Sequence, residues 1–388
     1  MLLTGLDASI LATSLPTIVS ELHGGALYIW TMNGYFLTTA VVQPLMGQAA
    51  DIFGRRIPML VALSLFTMGS GICGGSTSLP MLIAARLIQG FGGGVLFVMT
   101  DTIIADLTPL RDRMKYVSMV KLAREPTMPL RVYSNLSCAL GYGITFLHGI
   151  VLSWLSFFLP VYFQILLEST PLQSGVKLLA VVIPLAPAGM AGGIAIAVTG
   201  HYKMVIVAGF VLLSIAVGCM TTLEANSSTA LWTVFQVLAG LGGGLSLTAT
   251  LPAVQAPVPE SDVAIATAAW AFARSFGAIW GASIPSAVFN SRFDELLHLI
   301  PEPSVRGLLA HGGAYEHAIR LFIKQFDAQP VLKQQIIHVY TKALKRVWIV
   351  LIPFAVVPTG LALCIKEVEL RQELETDFGL KETPEASG

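Results

Sequence analysis

The chain has 388 residues, of which 54% are hydrophobic and only 12% are charged, and its mean hydropathy is +0.73. Soluble globular domains carry about 25% charged residues, so this composition excludes a soluble enzyme. A formal net charge of zero gives no indication of a nucleic-acid partner, which would need a basic face.

Apolar runs long enough to cross a bilayer recur ten times along the chain. A membrane-spanning helix needs about 20 predominantly apolar residues. The predicted spans are 1–21, 27–48, 57–76, 79–104, 136–166, 174–199, 203–223, 230–254, 262–289 and 346–366. We therefore expect an all-α polytopic membrane protein with about ten transmembrane helices.

Lysine and arginine residues in the short loops predict the orientation of these spans. With the N-terminus in the cytosol, the inner loops hold Arg55, Arg56, Arg111, Arg113, Lys115, Lys121, Arg124, Arg131 and Lys203. The outer short loops hold none. This orientation places Asn226-Ser227-Ser228 outside, which makes Asn226 a glycosylation candidate.

The spans divide the chain into segments. These are a four-span N-terminal bundle (1–115), a cytosolic junction (116–135), a five-span C-terminal bundle (136–290), an external segment (291–345), a last span (346–366) and a cytosolic tail (367–388). The external segment has apolar clusters at helical spacing. That pattern predicts amphipathic helices that lie on the membrane surface or cap the bundle.

A ten-residue pattern in the fourth span returns in the eighth, 150 residues later, where Arg86–Val95 matches Gln236–Leu245. In both copies glycines lie four apart on one helix face, which lets transmembrane backbones approach closely. The glycines concerned are Gly90, Gly94, Gly240 and Gly244. A dinucleotide-binding loop would need a preceding strand, so helix packing is favoured. The repeat implies two parallel halves, the first of which is two helices short.

The loop between the second and third spans carries a charged motif, Gly47-Gln-Ala-Ala-Asp51-Ile-Phe-Gly54-Arg55-Arg56. It resembles the signature loop of the major facilitator superfamily. A carboxylate beside two guanidinium groups forms charge-assisted bonds that can exist in one conformer and break in another, so this motif is a candidate gate. The alternative is that both arginines only anchor the loop in the cytosol.

Four further stretches are similar to one branch of that family. Leu6–Pro16 and Arg86–Gly90 resemble the first and fourth spans of the fourteen-span drug:proton antiporters, while Pro259–Asp262 and Arg274–Gly277 resemble fungal members. The resemblance implies a two-bundle fold in the plasma membrane rather than the vacuolar one. It also implies efflux of small organic molecules, such as drugs, toxins or secondary metabolites, driven by a proton gradient with no other cofactor.

Three charged residues lie well inside predicted spans, namely Asp7, Arg86 and Arg274. A charge at the centre of a bilayer costs about 2.5–3.5 kcal/mol on insertion scales, so each is a functional candidate. By the resemblance, Arg86 is the proton-coupling arginine, and Asp7 is the nearest carboxylate candidate for its partner. The alternative is a structural pair that locks the first and fourth helices. For Arg274, structural locking and contact with substrate or anion stay open.

Polar and amphipathic side chains inside the spans are candidates for lining a mostly apolar substrate cavity. They are Asn33, Tyr35, Gln43, Gln89, Gln236 and Trp270, together with Arg274. For each of them, packing between helices is the alternative. His148 is a lone intramembrane histidine that we interpret as a packing residue. The four cysteines show no zinc-site spacing, so no metal site is expected.

The chain departs from the antiporter branch after the fourth span. Where that branch continues into a fifth span with a glycine- and proline-rich motif, this chain has the linker-like segment Lys121–Arg131. This corresponds to an internal deletion of about four spans, in agreement with the repeat, and leaves the N-terminal bundle incomplete. We expect the transporter to be a monomer. Because helices are missing, the alternative is a non-transporting remnant or membrane scaffold. Two copies could also pair to fill the gap.

Overall fold

The computed structural model describes residues 27–107, 135–259 and 262–368, together with positions 18, 21, 22 and 133. Three predicted segments lie outside the described residues in whole or in large part. They are the first span (1–21), the junction (116–135) and the tail (367–388).

Nine long helices and three short ones make up the described chain. In order they are α1 (Tyr28–Phe53), α2 (Arg56–Gly74), α3 (Leu79–Leu107), α4 (Leu136–Val161), α5 (Pro171–Thr199), α6 (Tyr202–Met220), α7 (Thr229–Gln255), α8 (Val263–Leu296), the short α9 (Pro303–Leu309), α10 (Gly313–Glu316) and α11 (Arg320–Lys324), and α12 (Pro330–Cys364). A π-helix, Tyr162–Leu166, continues α4. Eight predicted spans begin within three residues of a helix, which confirms the all-α fold.

Seven of the nine long helices are long and apolar enough to cross a membrane, by length and composition. Local sequence sets their ends. At the start of α5, the Thr170 side chain accepts from the Gln173 backbone and Pro171 occupies the first helical position, a strong start signal. Gly200, in the left-handed region at φ +75°, ends the same helix.

In the N-terminal half, α3 packs closely on α1 and α2 through its glycines. An added Cβ at Gly90 would collide with the backbone carbonyl of Tyr35, and one at Gly94 with that of Thr39, both on α1. An added Cβ at Gly92 would collide with the backbone of α2 at Ala62 and Phe66. The glycines therefore let three backbones meet directly.

In the C-terminal half, α7 repeats this packing. An added Cβ at Gly240 would collide with the Val181 carbonyl, and one at Gly244 with the Leu185 carbonyl, both on α5. An added Cβ at Gly242 would collide with the backbone of α6. Equivalent glycines of α3 and α7 are 150 residues apart in the chain, and the residues that they contact on α1 and α5 are 146 residues apart. Hence α1, α2 and α3 correspond to α5, α6 and α7, while α8 and α12 have no counterpart in the described N-terminal half.

The two halves meet along α8 and α1. The Asn33 side-chain nitrogen on α1 donates to the Ser283 hydroxyl on α8 at 2.7 Å. At the ends predicted to face the cytosol, one buried apolar cluster joins Met99 of α3 to Cys138 of α4 and Val254 of α7. The two bundles are therefore packed together at that end in this conformation.

Long helices extend into both ends of the predicted external segment (291–345). Its first six residues belong to α8 and its last sixteen to α12. These extensions exist because their aromatic side chains pack together: the Phe293 and Tyr340 ring centroids lie 4.7 Å apart, and the Tyr340 hydroxyl donates to the Ala314 carbonyl at 2.6 Å. The residues between form a cap on the bundle, with Tyr315 and Phe322 buried, rather than helices on the membrane surface.

An ion-paired lysine fastens this cap to the α4–α5 loop. The Lys333 ammonium lies 2.5 Å from Glu168 Oε1 and 2.7 Å from Asp327 Oδ1. The hydrogen bond from Lys333 lowers the pKa of the Asp327 carboxyl below its usual value. Because exposed ion pairs contribute about 0–1 kcal/mol, the buried aromatic residues hold the cap more firmly than this pair does.

Candidate functional site

The predicted gating loop is a tight turn. Helix α1 ends at Phe53 and α2 begins at Arg56, so only Gly54 and Arg55 connect them. Gly54 has φ +72°, which a residue with a side chain rarely adopts. Gly47 and Asp51 lie in the last turns of α1, but the Asp51 side chain lies outside the described residues, so the motif's gating role stays a prediction.

Arg86 is 3% exposed and lies within a network of polar and aromatic groups. Its Nε donates to the Thr31 carbonyl at 3.3 Å, and its Nη1 donates to Gln89 Oε1 at 2.5 Å. The guanidinium carbon lies 4.4 Å from the centroid of the Tyr35 ring. These contacts hold the charge against α1 by hydrogen bonding and cation–π attraction.

The same network reaches α2 through Gln89. The Gln89 amide nitrogen donates to the Ser70 hydroxyl at 2.8 Å. The Cys73 thiol lies 3.7 Å from Gln89 Oε1. Arg86 therefore links all three described helices of the N-terminal half. Asp7 lies outside the described residues, so its pairing with Arg86 stays a prediction.

The remaining cavity candidates are buried in helix contacts. Asn33 bonds Ser283 across the halves, and the Trp270 indole donates to the Thr250 hydroxyl of α7 at 3.1 Å. Gln236 is fully buried, with its amide nitrogen 3.3 Å from the Trp232 carbonyl. Gln43 is also fully buried, and neither of its amide atoms has a hydrogen-bond partner. The conformation described here does not open these groups to solvent.

Arg274 forms a contact between the two halves. Its guanidinium carbon lies 4.3 Å from the Phe97 ring centroid on α3 and 4.8 Å from the Trp270 centroid on its own helix. We call Phe97, Trp270 and Arg274 the aromatic clasp. Because two of its members belong to α8 and one to α3, the clasp must separate if the bundles move apart at this level.

Replacing Phe97 by leucine should therefore favour opening of the end that contains Cys138. Loss of a cation–π contact of about 0.5–2 kcal/mol predicts labelling of buried Cys138 by a maleimide that is about 2- to 30-fold faster. The labelling is measured with Cys73, Cys219 and Cys364 replaced by serine. Phe91→Leu, an exposed position on the same helix, is the control. Equal labelling rates in the two variants would contradict the clasp.

His148 lies in the C-terminal core. Its Nε2 lies 3.0 Å from the Gly243 carbonyl oxygen of α7, and its ring packs edge-on against Phe210 of α6. The residue is fully buried. These contacts fit the packing role that the sequence suggested.

One close helix contact was missed by the sequence reasoning. An added Cβ at Gly277 or Gly281 of α8 would collide with the backbone of α4, and one at Gly149 of α4 would collide with the Arg274 carbonyl. This close contact between α4 and α8 fixes the backbone that carries the aromatic clasp. The spacing Gly277-Ala-Ile-Trp-Gly281 is a small-xxx-small pattern that could have revealed it.

The sequon candidate lies in the turn between α6 and α7. Asn226 is exposed there, and Ser228 accepts a hydrogen bond from the Leu231 backbone at the start of α7. The Asn226 side chain, to which a glycan would be attached, is therefore sterically accessible. Its glycosylation stays a prediction.

Comparison with known proteins gives consistent matches. The family model described as Major Facilitator Superfamily matches residues 1–123. Efflux pump FUS6 of Gibberella fujikuroi is 35% identical, over 98% of this chain and 89% of the relative, and the MFS-type efflux pump LUC4 of Fusarium sp is 34% identical over 98% and 88%. The crystal structure of a bacterial homologue of the human lysosomal transporter Spinster has a TM-score of 0.68 at 11% identity, with 95% of each chain covered.

The alignment with FUS6 also contains many positions at which this chain has no residue. It spans 496 positions, whereas 98% of 388 residues is about 380, so roughly 116 aligned positions have no residue here. At about 20 apolar residues per span plus loops, this gap has the size of about four spans. The gap agrees in size with the deletion of about four spans that the family resemblance implies, two of which the internal repeat predicts by itself.

Proposed function

The chain belongs to the major facilitator superfamily and is a multi-pass membrane transporter, and from this premise we propose that it exports small organic molecules in exchange for protons. In this proposal Asp7 takes up and releases the proton and Arg86 is its coupling partner. The two halves rock around a site between them. We place the transporter in the plasma membrane.

The buried Arg86 network is the observation that carries this proposal. Its guanidinium contacts α1 directly and α2 through Gln89. A charge that appears or disappears beside it therefore alters its contacts with both helices. A carboxylate attracts this cation when it is ionised and releases it when it is protonated. Protonation of Asp7 would thus change the packing of three helices at once, which is what coupling requires.

Gradient-driven uptake into inside-out vesicles tests the proposal. With an acidic lumen, the full chain should concentrate at least one of three probes, namely rhodamine 6G, Nile red and 1-naphthoate, and a protonophore should abolish this uptake. Asp7→Asn should also abolish it, because the asparagine amide does not ionise and so cannot take up and release a proton at this pH. Gradient-independent uptake, or full uptake by Asp7→Asn, would refute proton coupling through Asp7.

A second candidate function is a non-transporting membrane scaffold. The gap of roughly 116 aligned positions favours it, and the family match ends at residue 123, beside the linker that begins at Lys121. Two results would support the scaffold: a transcript that joins Val120 directly to Lys121, and a purified chain that moves none of the three probes. A longer transcript that encodes additional spans would contradict it.

A further inference from the structure

The repeat places a second cationic group at the level of Arg86, in the other half. The offset of 150 residues between α3 and α7 matches Arg86 with Gln236. The offset of 146 between α1 and α5 matches Thr31, whose carbonyl accepts from Arg86, with Lys177. Each half thus has one cation at the same depth in the equivalent helix contact. In the first half it lies on α3, at the contact with α1, and in the second half it lies on α5, at the contact with α7.

Lys177 also lies over aromatic rings, as Arg86 does. Its Nζ is 5.5 Å from the Trp232 centroid on α7 and 5.7 Å from the Phe163 centroid in the π-helix. In the part of the chain that the structure describes, it donates one hydrogen bond, to the Ser169 hydroxyl at 2.7 Å. An ammonium group has three donors, so two remain for another acceptor. Lys177 is half-exposed, whereas Arg86 is almost fully buried.

Two buried polar groups without partners share this contact between α5 and α7. Ser174 lies one turn before Lys177 on the buried face of α5, and its hydroxyl has no hydrogen-bond partner. Gln236 precedes Gly240 by four residues, as Lys177 precedes Val181, and Gly240 meets Val181, so Gln236 is level with Lys177. The Gln236 Oε1 atom also has no partner. Buried polar atoms are normally satisfied, so this combination indicates a ligand.

Within the described part of the chain, no carboxylate pairs with this second cation. The Leu15-Pro16 pair of the first span recurs as Leu159-Pro160 at the end of α4, which matches Asp7 with Val151. Among the residues that the structure describes, Lys177 takes part in none of the carboxylate ion pairs. The N-terminal half has Asp7 as the proposed partner of Arg86, whereas no equivalent carboxylate lies beside Lys177 among the described residues of the C-terminal half.

We propose that Lys177, Ser174 and Trp232 bind the carboxylate and the flat unsaturated framework of an organic acid, which is therefore a substrate class of this transporter. The carboxylate accepts from the Lys177 ammonium and the Ser174 hydroxyl. The framework packs on the Trp232 ring, as planar groups do on aromatic faces. The acid first meets Lys177, the half-exposed member. This inference rests on the proposed function, because only an exporter would need such a site.

The test uses the purified full chain in nanodiscs, with 1-naphthoate and its neutral analogue 1-naphthamide as probes, and measures binding by calorimetry. Lys177→Gln should weaken naphthoate binding by at least about tenfold, because it removes a charge-assisted hydrogen bond. Lys177→Arg should stay within about threefold of wild type, since it keeps the charge. Lys342→Gln, at an exposed lysine of α12, is the control and should not change binding.

Three outcomes would overturn the inference. They are unchanged naphthoate binding in Lys177→Gln, equal binding of naphthoate and naphthamide by wild type, and occupation of the site by lipid. Lipid occupation would appear as phospholipid that co-purifies with wild type but not with Lys177→Gln, and as loss of naphthoate affinity when phosphatidylglycerol is added. Failure of the proposed function is separate, because it is read from the absence of gradient-driven uptake of all three probes and not from binding.

Discussion

Arg86→Gln is expected to lower proton-driven uptake by about 100-fold, near the upper limit of a coupling free energy of 1–3 kcal/mol. Glutamine keeps polar atoms in place but has no charge to respond to a nearby carboxylate. It also loses the cation–π contact with Tyr35. Uptake is measured in the inside-out vesicles described above, at equal amounts of inserted protein.

Two companion variants separate coupling from folding. Arg86→Lys keeps the charge but not the fork of donors that reaches Thr31 and Gln89, so it should retain partial uptake. Arg292→Gln removes an exposed charge and should leave uptake unchanged. Transport by Arg86→Gln at the wild-type rate would show that Arg86 has no coupling role. Loss of uptake together with a large fall in melting temperature would show that Arg86 only holds the helices together.

Gly244→Ala is expected to destabilise the protein by several kcal/mol, although alanine is normally about 1 kcal/mol better than glycine inside a helix. The reversal follows from geometry, because the new Cβ would collide with the Leu185 carbonyl and crowd Ala188 and Gly189 on α5. Overpacking of this kind costs typically 1–3 kcal/mol and more where backbone must move. Gly94→Ala should have a similar effect in the other half.

Thermal unfolding in detergent, followed by size-exclusion chromatography of a fluorescent fusion, measures this effect. Gly218→Ala on α6 is the matched control, because nothing lies within 4 Å of its added Cβ. Its melting temperature should stay equal or rise slightly. If Gly244→Ala has the same melting temperature as this control, then α5 and α7 can move apart without loss of stability, which would contradict the prediction.

The glycine seams were predictable, whereas the boundaries of the cap were not. Gly90 and Gly240 could be found because two helices that touch need small residues at a fixed spacing, and spacing is written in the sequence. The ends of α8 and α12 follow instead from contacts between residues far apart in the chain. Phe293 and Tyr340 are 47 positions apart in the chain, and the local pattern predicted amphipathic helices without showing that α8 and α12 continue into this segment.

The candidate site divides in the same way. The costs of burying charge singled out Arg86 and Arg274 from the sequence, because a bilayer tolerates few such residues. Their partners could not be predicted, since Arg274 meets Phe97 only when the two halves pack. Lys177 received no role from the sequence, because its position near a span end allows a lysine to reach water.

By itself, the sequence determined that this protein spans a membrane, that it consists of two related halves and that one half is short. Those properties follow from composition, period and repeat, which need no contacts between distant residues. Only the tertiary structure decided that Arg86 bridges three helices, that Arg274 joins the halves through Phe97, and that Lys177 lies in the second half at the level that Arg86 has in the first. These depend on the register between helices, which the glycine contacts fix in space and no single segment encodes.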